Sequence, residues 1–260
     1  MPEDLPETGP HGAKAVGLQK VRRAAMLVAA RALSPTVREL TLEVAADATG
    51  APFSYEAGQY VDLFVPTKSL TMKRPYSIAS APGERGLNRF DIAVTRAEDG
   101  HTSDALHGHG IGDAYEIEGP RGGFVRKSRD RATLFVGAGT GLAPLRAMIQ
   151  DEVSRSEGPP IALLFGGRDE THLLWRDDAE LWRKSGRITV DVSLSRGSES
   201  WSGLRGYVQN HVIAAYDQIA RVAPEPQVFV CGLSSMVIDV VSALESHGID
   251  PAALFSESYS

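Results

Sequence analysis

The stretch Thr133-Leu134-Phe135-Val136-Gly137-Ala138-Gly139-Thr140-Gly141-Leu142-Ala143-Pro144 decides the fold of the second half of the chain. An apolar run closed by glycines reads as a buried strand, and Pro144 suits the first turn of a helix over Ala143 to Ser154. Where a strand turns tightly into a helix, free backbone N–H groups converge and can hold a phosphate. The stretch departs from the Gly-x-Gly-x-x-Gly dinucleotide pattern, because Ala143-Pro144 stands where a third glycine would come. Further on, strands are predicted over Ile161–Phe165, Ile188–Ser193 and Gln227–Val230. Helices are predicted over Trp175–Lys184, Gly206–Ala215 and Ser235–Ser246. Strand–helix alternation of this kind predicts an α/β parallel sheet with helices on both faces, a nucleotide-binding domain spanning 129–260.

Toward the N-terminus the texture is β. Ala24–Arg31, Val37–Val44, Tyr60–Val65, Pro75–Ala79, Phe90–Thr95 and Ala114–Glu118 are short strand candidates separated by turn clusters. A short helix over 103–107 interrupts them. Strands at near-regular spacing predict a small antiparallel Greek-key β-barrel domain over 21–128. Residues 1–20 mix Pro, Gly and charge without an apolar core, and read as a flexible leader.

The chain has 27 Lys+Arg against 33 Asp+Glu, a net charge of −6, which speaks against a nucleic-acid binder. No apolar run approaches the length of a membrane span, so a cytoplasmic protein is expected; a monomer is the expected state, with oligomerisation left open. A single cysteine, Cys231, excludes a disulfide framework, a four-cysteine iron–sulfur cluster and a structural zinc site within the chain. His107 and His109 lack an acid or cysteine at ligand spacing, so no metal site is expected. No Gly-x-Ser-x-Gly elbow is present for hydrolase chemistry.

Arg74-Pro75-Tyr76-Ser77 offers a guanidinium, an aromatic face and a hydroxyl on one extended segment, ahead of the glycine turn. In that order the two motifs point to redox chemistry between a flavin and a nicotinamide. Six segments resemble, in order, the ferredoxin–NADP+ reductase family. They are Arg74 to Ser77, Gly100-His101-Thr102-Ser103, Gly119 to Phe124, Gly139 to Pro144, Cys231-Gly232-Leu233 with Met236, and Glu257-Ser258-Tyr259.

The resemblance implies FAD at the first pair of motifs. Tyr76 would lie on the ring, and Ser77 would hydrogen-bond the ring nitrogen that accepts hydride. Arg74, Thr102 and Ser103 would hold the pyrophosphate, with Pro75 and Gly100 shaping the two segments. It implies a pyridine nucleotide at Gly139, Thr140, Gly141 and Pro144. The second strand ends at Arg168 and the third at Ser195-Arg196, which resembles the pair that receives the 2′-phosphate in NADP-using members. Two bases and a hydroxyl favour NADPH; Asp169 and Glu170 nearby keep NADH open. Cys231 and Gly232 would border the nicotinamide. Tyr259 would cover the second flavin face, with Glu257 assisting proton supply, although Ser260 is an extra residue beyond the aromatic. Trp201-Ser202-Gly203 resembles a segment of oxygenase reductase components.

Catalytic roles are thus expected for Ser77, Cys231, Glu257 and Tyr259. The expected activity is hydride uptake from NADPH onto FAD and single-electron delivery to a separate ferredoxin or flavodoxin. Such a pair can supply an oxygenase or cytochrome P450. The alternatives are a reductase of free flavin or small acceptors, and an electron-transfer subunit of a larger complex. A basic docking rim is expected from Lys68, Lys73, Arg121, Arg126 and Lys127.

Overall fold

The computed structural model describes residues 22–67, 70–97, 100–155 and 157–259. The expected leader, Lys68 and Ser260 lie outside the described residues. The first half builds a six-stranded antiparallel sheet, ordered β4-β3-β6-β1-β2-β5. Its strands are β1 (Arg22–Ala32), β2 (Val37–Val44), β3 (Tyr60–Pro66), β4 (Thr71–Ser77), β5 (Arg89–Thr95) and β6 (Ala114–Arg121). Alternate residues such as Leu40 and Leu42 of β2 turn inward to meet Leu27, Leu63, Ile92 and Ile117 in one core.

The expected strand Pro75–Ala79 is cut and shifted. β4 pairs with β3 only up to Ser77, and the chain then leaves that ladder. Ile78 bridges Ile92 of β5, and the Ala79 N–H donates to the Asp91 carbonyl. This change of partner joins the two edge strands and closes the sheet into a barrel.

The second half is a six-stranded parallel sheet ordered β10-β9-β8-β7-β11-β12. Its strands are β7 (Thr133–Ala138), β8 (Ile161–Gly167), β9 (Ile188–Leu194), β10 (Leu204–Arg205), β11 (Gln227–Leu233) and β12 (Leu254–Tyr259). Phe135 faces the core under α2 (Leu142–Val153) and α3 (Arg176–Lys184). Leu134 and Val136 face the opposite core, under α4 (Val212–Ala220) and α5 (Ser234–Ser246). That two-sided burial is why the strand reads as an unbroken apolar run.

Two expectations change here. The helix expected over Gly206–Ala215 starts later, as a 3₁₀ turn Val208–His211 followed by α4. Gly206 has φ +98°, outside the helical region, so it forms a turn instead. The last residues, expected as an aromatic tail, form β12, in register with β11 from Val228↔Leu254 to Leu233↔Tyr259.

The two sheets share one core. Val37, Ala57, Ala79 and Ala93 from the barrel pack into the cluster of Phe135, Leu145, Met148 and Trp175. Among the described residues no helix is long and apolar enough to cross a membrane.

Candidate flavin and nucleotide site

Ser77 is the last residue of β4 and is buried. Tyr259 is the last of β12, and its hydroxyl lies 2.8 Å from Ser77 Oγ, joining the two sheets. The same hydroxyl bonds the Cys231 thiol, which is fully buried on β11. Burial pushes that thiol up to about 12, so it is protonated at neutral pH. Burial also raises Tyr259 well above the usual phenol range. Glu257, two residues back on β12, is paired in the ladder with Cys231. Its carboxyl is raised by burial, and its Oε2 is buried without a hydrogen-bond partner. Ser77, Cys231, Glu257 and Tyr259 therefore converge on one seam, although 182 positions separate Ser77 from Tyr259.

Tyr76 precedes Ser77 on β4 and packs against the barrel core, and burial raises its hydroxyl to about 12. Arg74 is exposed, and its Nη1 donates to the carbonyl of neighbouring Lys73, 2.9 Å away. Pro75 sits opposite Asp62, where the strand needs no donor from it. Helix α1 (His101–Gly108) opens after Gly100, with Thr102 and Ser103 buried in its first turn. The Ser103 hydroxyl donates to the Gly100 carbonyl and accepts from Ala97 N–H. It shapes the turn, which leaves first-turn N–H groups as the open donors.

The glycine stretch forms a 3₁₀ turn, Gly139–Gly141, that feeds α2, with Gly139 at φ +54°. Gly141 lies against β11 so closely that a Cβ there would collide with the Cys231 carbonyl and with Gly232. Thr140 Oγ1 faces Thr95 Oγ1 of the barrel at 3.4 Å. Pro144, in the first turn of α2, is buried and forfeits no intrahelical bond. The strand order reverses between β7 and β11, so this loop sits at the crevice where such sheets take ligands.

A cavity of about 500 Å³ opens beside it, lined among others by Thr140, Arg168, Ser195, Tyr207, Leu233 and Met236. Arg196 N–H donates to the Arg168 carbonyl at 2.7 Å, which brings the ends of β8 and β9 together. Arg168 and Arg196 are both exposed, and neither forms an ion pair among the described residues. The nearby acids are turned into their own loop. Asp169 accepts from Thr171 and His172, and hydrogen bonding from Thr171 holds it well below the usual carboxylate range. Glu170 accepts from both the N–H and the hydroxyl of Ser198.

Of the expected basic rim, Lys127 is exposed and Arg126 is withdrawn, while Lys73 and Arg121 are engaged in ion pairs at the surface. Lys73 and Arg121 both pair with Asp62 at 2.9 Å, and Arg121 also with Glu118. The Arg126 side chain is only 4% exposed and pairs with Glu152. Burying a guanidinium in that pair removes it from any docking surface. His107 and His109 bond the Val94 carbonyl and the Tyr115 hydroxyl, and no metal-holding cluster occurs among the described residues.

Sequence reasoning missed Tyr207, a residue 66% exposed at the cavity wall. Its signal was an aromatic directly after the turn glycine Gly206, read instead as helix. It also missed Arg146, fully buried between the two sheets. A charged residue inside an apolar helix was the signal there.

Residues 24–125 match the model of the oxidoreductase FAD-binding domain, and residues 135–242 that of the oxidoreductase NAD-binding domain. The fold and site thus define a two-domain oxidoreductase that binds FAD and a pyridine nucleotide. The chain is 46% identical over 217 residues to ferredoxin–NADP reductase B of Sorangium cellulosum (strain So ce56), covering 82% of this chain and 87% of that protein. It belongs to the ferredoxin–NADP reductase family. A second relative, the phenol hydroxylase P5 protein of Acinetobacter pittii (strain PHEA-2), is 28% identical over 85% of this chain, which spans 60% of that protein. The ferredoxin reductase in carbazole 1,9a-dioxygenase shares the fold at TM-score 0.79 and 21% identity, over 92% of this chain and 70% of that one. Ferredoxin–NADP+ reductase from Plasmodium falciparum with 2′P-AMP does so at TM-score 0.73 and 18% identity, over 91% of this chain and 95% of that one.

Proposed function

We propose that this chain takes hydride from NADPH onto FAD and hands electrons singly to a separate ferredoxin or flavodoxin. The observation that carries the reading is the Ser77–Tyr259–Cys231 contact, which brings β4 of the barrel against the carboxyl edge of the parallel sheet. Division of labour follows the two sheets, with residues 21–128 holding flavin and 129–260 holding nucleotide.

The residues fit both groups. Among the described residues Arg74 bonds only within its own strand, and the first turn of α1 has open N–H donors, as a pyrophosphate requires. Tyr76 supplies a ring face and Ser77 a hydroxyl. Thr140 and the Gly139–Gly141 turn suit the second pyrophosphate, and the exposed Tyr207 ring suits an adenine face. Arg168, Ser195 and Arg196 suit a 2′-phosphate, and the turning away of Asp169 and Glu170 favours NADPH over NADH. Bound FAD supplies the exchange between hydride and single-electron chemistry.

The chain's own residues then orient and seal. Tyr259 occupies the approach to Ser77 and excludes water until it moves aside. Cys231 presents a neutral thiol and adds no charge to the seam. Glu257, whose carboxyl is raised by burial, is the titratable group placed on the seam to assist proton supply in the acceptor half of the cycle.

Anaerobic titration with NADPH and with NADH, following flavin absorbance, tests the reading. Bleaching near one equivalent of NADPH is expected. Bleaching by NADH alone overturns the nucleotide choice, and a colourless protein overturns the flavin site.

A further inference from the structure

Helix α2 starts at the glycine turn and, one to two turns later, runs under the segment that follows Ser77. At that point it carries Arg146 and Gln150, four residues apart and hence on one face. Arg146 is 2% exposed. Its Nη1 donates to the Ala79 carbonyl at 2.6 Å, and its Nε donates to Asp178 of α3 at 2.5 Å. Gln150 Oε1 accepts from Ala81 N–H at 3.0 Å. One helix face therefore reads an acceptor and a donor on the short strap Ala79-Ser80-Ala81. The barrel holds the same strap from the other side, through the Tyr55 hydroxyl on the Ala81 carbonyl and the Asp91 N–H on Ser80 Oγ.

Around Arg146 lies a charge-matched cluster in which Asp91 and Glu39 are buried, while Arg31 and Arg85 reach toward solvent. Asp91, 0% exposed, sits 3.4 Å from Nη1 and also takes Arg85 at 2.6 Å. Glu39, from β2, pairs with Arg31 and accepts the Trp175 indole N–H at 2.6 Å. Trp175 packs under the Arg146 guanidinium and holds φ +46°, a left-handed backbone that a bulky residue adopts only when its surroundings enforce it. A simple apolar seam would need none of this.

We propose that Arg146, with Gln150, is a positioning residue for hydride transfer. It fixes the distance between the phosphate turn at the head of α2 and the flavin strand ending in Ser77. From Gly141 to Arg146 the helix rises about 7.5 Å, so the clamp acts through a short, stiff spacer. The idea rests on the hydride-transfer reading above. A planar fork is needed because Nε and Nη1 address two different elements, and lysine reaches only one of them. Misplacing reacting groups by about 1 Å costs roughly a hundredfold in rate, which makes the clamp visible kinetically.

The test uses flavin-loaded enzyme and rapid-mixing kinetics with R146K, R146Q and Q150A. A core variant elsewhere, L244A, serves as the control for lost stability. Expected for R146K and R146Q is a limiting rate of flavin reduction at least about tenfold lower, with nucleotide affinity within about threefold and flavin content retained. Q150A, which spares the buried charges, should show the same split in smaller measure. Rates in the Arg146 and Gln150 variants no lower than in L244A would overturn the proposal, as would weakened nucleotide binding with an unchanged limiting rate. An independent readout is the distance distribution between spin labels at A46C, just beyond β2 of the barrel, and S246C, at the end of helix α5 beside the parallel sheet. Broadening in R146Q is expected, and an unchanged distribution counts against the clamp. If neither nucleotide reduces the wild-type flavin, the functional reading fails, and the label distances alone decide the clamp.

Discussion

The Tyr259 hydroxyl lies 2.8 Å from Ser77 Oγ, so the final strand of the parallel sheet closes on the final residue of a barrel strand. Nicotinamide and this contact compete for one place in the proposed cycle. Tyr259→Phe removes the bond and leaves the ring. A net hydrogen bond is worth about 1 kcal/mol, so NADP+ should bind about fivefold more tightly to the variant. Equilibrium titration of the flavin spectrum reads this directly, and unchanged affinity would mean that the bond does not hold the site shut.

Ser77→Ala deletes the hydroxyl proposed to face the reacting flavin nitrogen. The limiting rate of flavin reduction should fall by about tenfold or more, equivalent to about 1.4 kcal/mol of barrier. Flavin content should be preserved, because Tyr76 and Arg74 are untouched. Stopped-flow absorbance at saturating NADPH separates the two effects.

Nucleotide choice should move with the exposed bases. Charge-assisted bonds contribute about 1.5–3 kcal/mol, so Arg168→Ala and Arg196→Ala should each weaken NADPH by about ten- to a hundredfold while NADH changes little. Steady-state kcat/KM for both nucleotides checks it. Equal losses with the two would locate the arginines outside the 2′-phosphate site.

Glu257 gives a pH signature. Burial raises its carboxyl above 4.5, so the native state favours the protonated form. Its contribution to stability is fully present below the unfolded pKa and is lost as pH rises through the higher folded pKa. Glu257→Gln cannot ionise, so its melting temperature should gain on the wild type as pH climbs from 4.5 toward neutrality. Parallel melting curves for the two proteins would refute the shift.

Cys231 should behave as an inert thiol. It is fully buried and raised to about 12, so alkylation at neutral pH should be negligible in the native protein and rapid once it is unfolded. Mass spectrometry after timed exposure to iodoacetamide distinguishes the cases.

The sequence displayed most of this architecture, because each parallel strand is buried on both faces and so carries an uninterrupted apolar signature, as at Thr133 to Val136. The glycine turn was legible for the same local reason. What escaped were features set by partners distant in sequence. Ile78 leaves β4 for β5 because the barrel closes there. In Phe255-Ser256-Glu257-Ser258-Tyr259 apolar or buried residues alternate with exposed serines, a strand pattern hidden by its position after the last helix. Arg146 could be noticed as an oddity in an apolar helix, but nothing nearby in the chain announces Ala79 or Asp178 as its partners. The same holds for Arg126, whose burial against Glu152 is a tertiary fact that charge counting along the chain misassigned.

The turn that leads into α2 holds two glycines that tolerate change differently. Gly139 has open space around its missing side chain and departs from ordinary residues only in its dihedral, φ +54°. Asparagine visits that region at modest cost, so the position has a second acceptable letter. Gly141 has an ordinary dihedral and no room, because the Cys231 carbonyl stands where any Cβ would go. A library of variants across the loop should therefore return a narrow but real alphabet at one glycine and a single letter at the other.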